Sequence, residues 1–182
     1  NSISEIFKNL NNDEIYKKLY TLEKTKKFSD EYKKLIKVIE VELGTGDFYF
    51  QKIPSFRVHR VKGNSVNYHN DCMYGHGEDV VNIWVPLINT NEHNTLHLAD
   101  NYLSKKEVKR FGTEKLSLIQ ANKLFKSITS PRLVNYGEIL LFNTSAIHGT
   151  EINNSNEDRI SFDFRILAHG GDPSTKPVSY TH

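Results

Sequence analysis

The chain has 182 residues, with 24 Lys and Arg against 22 Asp and Glu, a formal net charge of +2 at neutral pH and a single cysteine. That length suits one domain able to bury its own core, and a near-balanced charge with no concentrated basic face argues against a nucleic-acid partner. Cys72 alone rules out an internal disulfide and fits a reducing, cytoplasmic setting, while no apolar run approaches the roughly 20 residues of a membrane helix.

The opening stretch, NSISEIFKNL, lacks the apolar core of a signal peptide. It begins at Asn1 and not Met, so an upstream segment could have been removed. Short helices are expected over 4–10 and 13–22, with Ser2 and Asn12 as N-caps. A longer one is expected over 28–43, where Phe28, Tyr32, Leu35, Ile36, Ile39 and Leu43 recur at helical spacing and Lys33, Lys34 and Lys37 take the other face.

After Gly44 and Gly46 the pattern shortens to strand-like runs over 48–52, 56–61, 66–69, 80–87, 95–99, 137–143 and 159–168. Gly, Asn and Pro turns separate them, as in an antiparallel sandwich or barrel. An insertion over 101–130 carries Lys105, Lys106, Lys109 and Arg110 and then a helix expected over 113–128. Residues 169–182 read as a loose tail. The layout is thus one domain over 1–182: mostly helical support over 1–46, a β-barrel over 47–168, and the tail.

The run over 159–166 alternates strictly, with Arg159, Ser161, Asp163 and Arg165 on one face and Ile160, Phe162, Phe164 and Ile166 on the other. Two arrangements fit. Either the polar face meets water, with Arg165 paired to Asp163, or the helix over 28–43 covers the apolar face and the polar residues line an interior.

Candidate ligands come from three places. His69 and Asp71 lie two residues apart, where alternation sends both side chains to the same side; His148 follows the apolar run before it and precedes Gly149. Two imidazoles and one carboxylate make the facial donor set of non-haem iron(II) oxygenases, which leaves the opposite positions open. A structural zinc would want a closed four-ligand shell, for which only Cys72 is available, and alternation points Cys72 away. Eleven residues after His148 comes Arg159, whose guanidinium suits a carboxylate, with the Ser161 hydroxyl as a further donor. Asn82 and Trp84 alternate onto one face of their strand and are candidates to line the site, Asn82 toward the co-substrate and Trp84 toward the substrate. Tyr74 and His76, in the loop after Asp71, are candidate substrate residues. Arg57, His59, Arg60 and His97 also fall on strands, where a surface position is expected.

The run His69-Asn70-Asp71-Cys72-Met73-Tyr74-Gly75-His76, with Asn82-Ile83-Trp84-Val85-Pro86-Leu87, resembles the 2-oxoglutarate/iron(II) dioxygenase superfamily. Within it the similarity is to the streptomycin-biosynthesis dioxygenase-like branch, related to phytanoyl-CoA hydroxylase. Gly137 to Phe142, Ala146-Ile147-His148-Gly149 and Arg159 to Arg165 extend it. The resemblance implies a mainly β fold, a double-stranded β-helix (jelly-roll, cupin-like) barrel with N-terminal helices. It also implies oxidation, most often hydroxylation, of a small polar molecule by iron(II), 2-oxoglutarate and dioxygen, with release of succinate and carbon dioxide. Asp71 disfavours halogenation, since related halogenases lack that carboxylate. A cupin-like metal-dependent sugar isomerase or epimerase and a non-catalytic binding barrel remain alternatives. The insertion over 101–130 is expected to act as a lid.

Overall fold

The computed structural model describes residues 7, 9–44, 48–63, 66–168, 171 and 180–181. Helix α1 (Asn12–Glu23) starts one residue before the expected position. Asn11 is the cap and forms a reciprocal box with Glu14: the Asn11 side chain accepts the Glu14 amide at 3.0 Å and the Glu14 carboxylate accepts the Asn11 amide at 2.8 Å. Helix α2 (Lys26–Leu43) is capped by Thr25 and stops at Gly44, whose φ of 62° is left-handed backbone that glycine adopts without strain. The helix expected over 4–10 and the tail over 169–182 fall mainly outside the described residues.

The strands are β1 (Phe48–Gln51), β2 (Ser55–His59), β3 (Val80–Pro86), β4 (Leu96–Leu98), β5 (Ser130–Arg132), β6 (Leu140–Asn143), β7 (His148–Gly149), β8 (Arg159–Ala168) and β9 (Tyr180–Thr181). They form two antiparallel sheets. In the larger, β8 pairs with β3 along one edge and with both β2 and β1 along the other, while β6 flanks β3 and β9 flanks β1. The smaller has the order β5, β4, β7. Helices ahead of antiparallel sheets match the expected layout, and among the described residues the paired strands form these two sheets. The run over 66–69 is no full strand: only His69 forms a bridge, to His148. The amides of Val66 and Tyr68 are taken instead by the side chains of Thr150 and Asn122.

Strand β8 decides where the core lies. Ile160, Phe162, Phe164 and Ile166 pack with Tyr32, Ile36 and Ile39 of α2 and with Ile15 and Leu19 of α1. The buried Tyr32 hydroxyl is satisfied by the Gln51 carbonyl at 2.7 Å. With its apolar face covered by helices, β8 turns its polar face inward. A second cluster between the sheets, including Trp84, Leu96, Leu98 and Phe142, closes the interior on the other side.

The insertion differs from expectation. Its lysine-rich part is already helical, as α3 (Asn101–Glu114), and a separate helix α4 (Leu118–Ser127) follows. A single helix over 113–128 is interrupted because Lys115 takes a left-handed φ of 50° and Ser117 opens a new capping box with Gln120. Ala121 and Phe125 of α4 pack on Tyr68, Ala99 and Ile147. The Ser104 hydroxyl of α3 accepts the Ile147 amide at 2.9 Å. The two helices therefore brace the back of the strand that carries His148.

Candidate metal centre

His69 and His148 are adjacent in space because their backbones exchange hydrogen bonds, at 3.0 and 2.8 Å. The chain stays extended through Asn70, whose side chain caps the following 3-10 turn (Asp71–Tyr74) by accepting the Met73 amide at 3.0 Å. The Asp71 amide is anchored on the Thr144 carbonyl at 2.9 Å. Gly149 completes the local fit: a Cβ there would meet Tyr68 at 2.8 Å and the Val66 carbonyl at 2.9 Å. No larger residue lets the segment before His69 lie so close to β7.

The three side chains converge. Each imidazole Nδ1 lies against a backbone carbonyl, His69 on Asn67 at 2.7 Å and His148 on Ala146 at 3.0 Å, so Nδ1 donates and Nε2 is the nitrogen turned to the site. Both Nε2 atoms face Asp71 Oδ1, at 3.7 and 3.8 Å, and the three ligand atoms lie within 4.8 Å of one another. Burial, then the neighbouring His69, push the His148 imidazole down to about 4, leaving it neutral at physiological pH. Burial opposes the charge on Asp71, yet His69, His148 and Arg165 together hold its carboxyl well below the usual range. Two imidazole nitrogens and one ionised oxygen form a donor set that iron(II) and similar divalent ions accept.

The other oxygen of Asp71 is fully engaged: Oδ2 accepts from Asn82 Nδ2 at 3.0 Å and from Arg165 Nη2 at 2.8 Å. Arg165 is thus not paired with Asp163, the pairing that went with a water-facing strand. Asp163 is held by Arg57 from β2, at 2.7 Å, because cross-strand neighbours reach each other more directly than side chains two apart on one strand.

A cavity of about 340 Å³ runs from these residues to Arg159 and is lined also by Trp84 and Phe142. Arg159 is buried and, among the described residues, has no carboxylate partner. Its Nη1 donates to the Asn94 carbonyl at 2.7 Å, its guanidinium lies 5.2 Å from the Trp84 ring centre, and its Nε lacks a partner. Burial, only partly offset by Asp163, lowers it to about 10, which leaves it cationic. Trp84 Nε1 donates to Ser161 Oγ at 3.1 Å; Ser161 is fully buried and is not among the lining residues.

Of the remaining candidates, Tyr74 is exposed with its ring 5.2 Å from that of His69, and His76 is buried; neither lines the cavity. Arg60 pairs with Asp158, and His97 is half-buried beside Tyr68. His59, expected at the surface, is buried and lines the cavity, because it stands opposite Arg159 in the β2–β8 register. Sequence reasoning missed Tyr16 altogether. This α1 residue lines the cavity and its hydroxyl accepts the Val58 amide at 3.3 Å; nothing in an amphipathic pattern distinguishes it from other helix-face aromatics. No residue of 101–130 lines the cavity, so the expected lid is instead a buttress.

These features define an antiparallel β protein whose interior carries a two-histidine, one-carboxylate site that can hold a metal. Over 136 residues the chain is 29% identical to the streptomycin biosynthesis protein StrG of Streptomyces griseus, a match covering 72% of this chain and 54% of StrG. The chain therefore spans about half the length of that relative. Its fold resembles that of the non-heme monooxygenase ThoJ: the nickel complex superposes with a TM-score of 0.52 at 15% identity, over 74% of this chain and 50% of ThoJ. The apo form gives 0.52 at 14% identity, over 74% and 52%. No protein-family model matches the chain. Among the described residues, no helix is long and apolar enough to cross a membrane.

Proposed function

We propose that this chain is one catalytic domain of an iron(II)- and 2-oxoglutarate-dependent oxygenase acting on a small polar molecule, with the two sheets as the walls of a double-stranded β-helix. The observation that carries this is one cavity shared by His69, Asp71 and His148 and by a buried Arg159 that has no carboxylate partner among the described residues. Similarity to StrG supports it.

In this reading His69 Nε2, His148 Nε2 and Asp71 Oδ1 hold the ion. Arg159 receives the distal carboxylate of the keto acid through a charge-assisted contact, and Trp84, seated by Ser161, keeps the guanidinium oriented. Phe142 and Leu96 supply an apolar wall that limits water around the site. When bound, iron(II) with 2-oxoglutarate and dioxygen supplies the oxidising power to remove a substrate hydrogen, the keto acid leaving as succinate and carbon dioxide. An isomerase has no use for a second, buried carboxylate receptor, and a binding barrel has none for an open metal face.

The test is anaerobic titration of the protein with iron(II) and then 2-oxoglutarate. A weak visible charge-transfer band that saturates with the keto acid is expected. Iron binding with no such band, and no keto-acid binding by calorimetry, overturns the proposal.

A further inference from the structure

Asn82 and Arg165 are register partners on β3 and β8, and their side chains project from the same face of the sheet onto one atom, Asp71 Oδ2. A carboxylate oxygen has two lone-pair directions. Here one is taken by an amide N–H at 3.0 Å and the other by a guanidinium N–H at 2.8 Å. Oδ1 remains, and it is the oxygen that faces both imidazoles. The donors sit in the interior, Asn82 at 3% exposure and the Arg165 side chain at 13%, so neither is lost to water.

We infer that Asn82 and Arg165 are positioning residues that restrict Asp71 to one-oxygen coordination and thereby keep three adjacent positions of the metal open. The inference rests on the metal site proposed above. An octahedral ion held by two imidazoles and one carboxylate oxygen has three vacancies. Coordination through both oxygens would leave two. A chelating keto acid takes two positions and dioxygen needs one, so the freedom of Oδ2 decides whether all three fit. To swing onto the metal, Oδ2 would have to break a charge-assisted hydrogen bond and an amide hydrogen bond together. The arrangement accounts for a buried cation beside a metal site, where charge repulsion alone would disfavour it.

The test compares the parent with Arg165→Met, Asn82→Ala and Arg165→Lys. Manganese(II) affinity, 2-oxoglutarate affinity of the manganese form, and crystal structures of the manganese forms are measured. In Arg165→Met, manganese(II) is expected to bind within about threefold of the parent or more tightly, while 2-oxoglutarate affinity falls at least tenfold and Asp71 binds the metal through both oxygens. Arg165→Lys, which keeps a charged donor, restores much of the keto-acid affinity. Should Arg165→Met fail to fold, Asn82→Ala carries the same comparison with a smaller shift. Parallel loss of metal and keto-acid affinity, unchanged keto-acid affinity, or one-oxygen coordination in the variants overturns the inference. If the parent binds manganese(II) but not 2-oxoglutarate, the proposed function fails, and the number of Asp71 oxygens on the metal still decides this inference. A parent that binds no metal overturns both.

Discussion

His69 and His148, far apart in the chain, face each other as a hydrogen-bonded antiparallel pair, each donating its amide to the other's carbonyl. The two imidazoles therefore stand on backbone that side-chain substitution leaves in place. Replacing either histidine with Ala is expected to abolish tight metal binding while the circular dichroism spectrum stays parental. Asp71→Ala should also destabilise the fold, by about 3 kcal/mol, because Arg165 is left as an unpaired interior charge. Calorimetric metal titration and urea unfolding check both. A histidine variant with parental metal affinity would rule that residue out as a ligand.

Arg159→Gln should weaken 2-oxoglutarate binding about tenfold to a hundredfold, the loss of a contact worth about 1.5–3 kcal/mol. Metal affinity should stay parental, since Arg159 makes no hydrogen bond to the three ligands. Arg165, the other arginine on this face, is already committed to Asp71. Keto-acid titration of the metal-loaded variant is the measurement, and parental keto-acid affinity would remove Arg159 from the proposed role.

The helices α3 and α4 supply a third prediction. Replacing Lys105, Lys106, Lys109 and Arg110 by Gln should leave the ratio of substrate oxidised to keto acid consumed unchanged, because Lys105 pairs outward with Glu78 and Arg110 with Glu114. Phe125→Ala, at a site 1% exposed behind Ile147 and Tyr68, should cost about 3–5 kcal/mol. It should also loosen metal binding, as the strand carrying His148 loses its support. Impaired coupling in the charge variant would restore the lid.

A fourth concerns pH. Burial, then the charge of Arg159, push the His59 imidazole from 6.5 down to about 4, against the opposing pull of Asp158 and the Asn94 and Glu151 carbonyls. The folded state resists a proton that the unfolded chain accepts, so stability rises with pH across this window. It is lost as pH falls from about 6.5 toward 4. His59→Asn should flatten that part of the profile by up to one proton, read from urea midpoints between neutral pH and about pH 4. An unaltered slope would show that His59 does not titrate this way.

The ligand candidates were legible in the sequence because alternation along extended backbone is local: with Asn70 extended between them, His69 and Asp71 share a side whatever lies across from them. The arginine on β8 was legible for the same reason, as was α2, whose apolar spacing names its buried face. Partners across strands were not. The sequence offered Asp163 as one partner for Arg165 because the two are close in the chain, but β2 brought Arg57 to Asp163 and β3 brought Asn82 alongside Arg165 at Asp71.

By itself, then, the sequence determined the helices ahead of the strands, the polar and apolar faces of β8, and the identity of the metal-ligand candidates, all consequences of periodicities that act within a few residues. Only the tertiary structure decided which way the polar face of β8 turns, that α3 and α4 support the site from behind, that His59 and Tyr16 enter the cavity, and that Arg165 is the arginine paired with Asp71. Those outcomes depend on strand register and helix docking. Both are set by burial summed over residues far apart in the chain, and no local pattern records that sum.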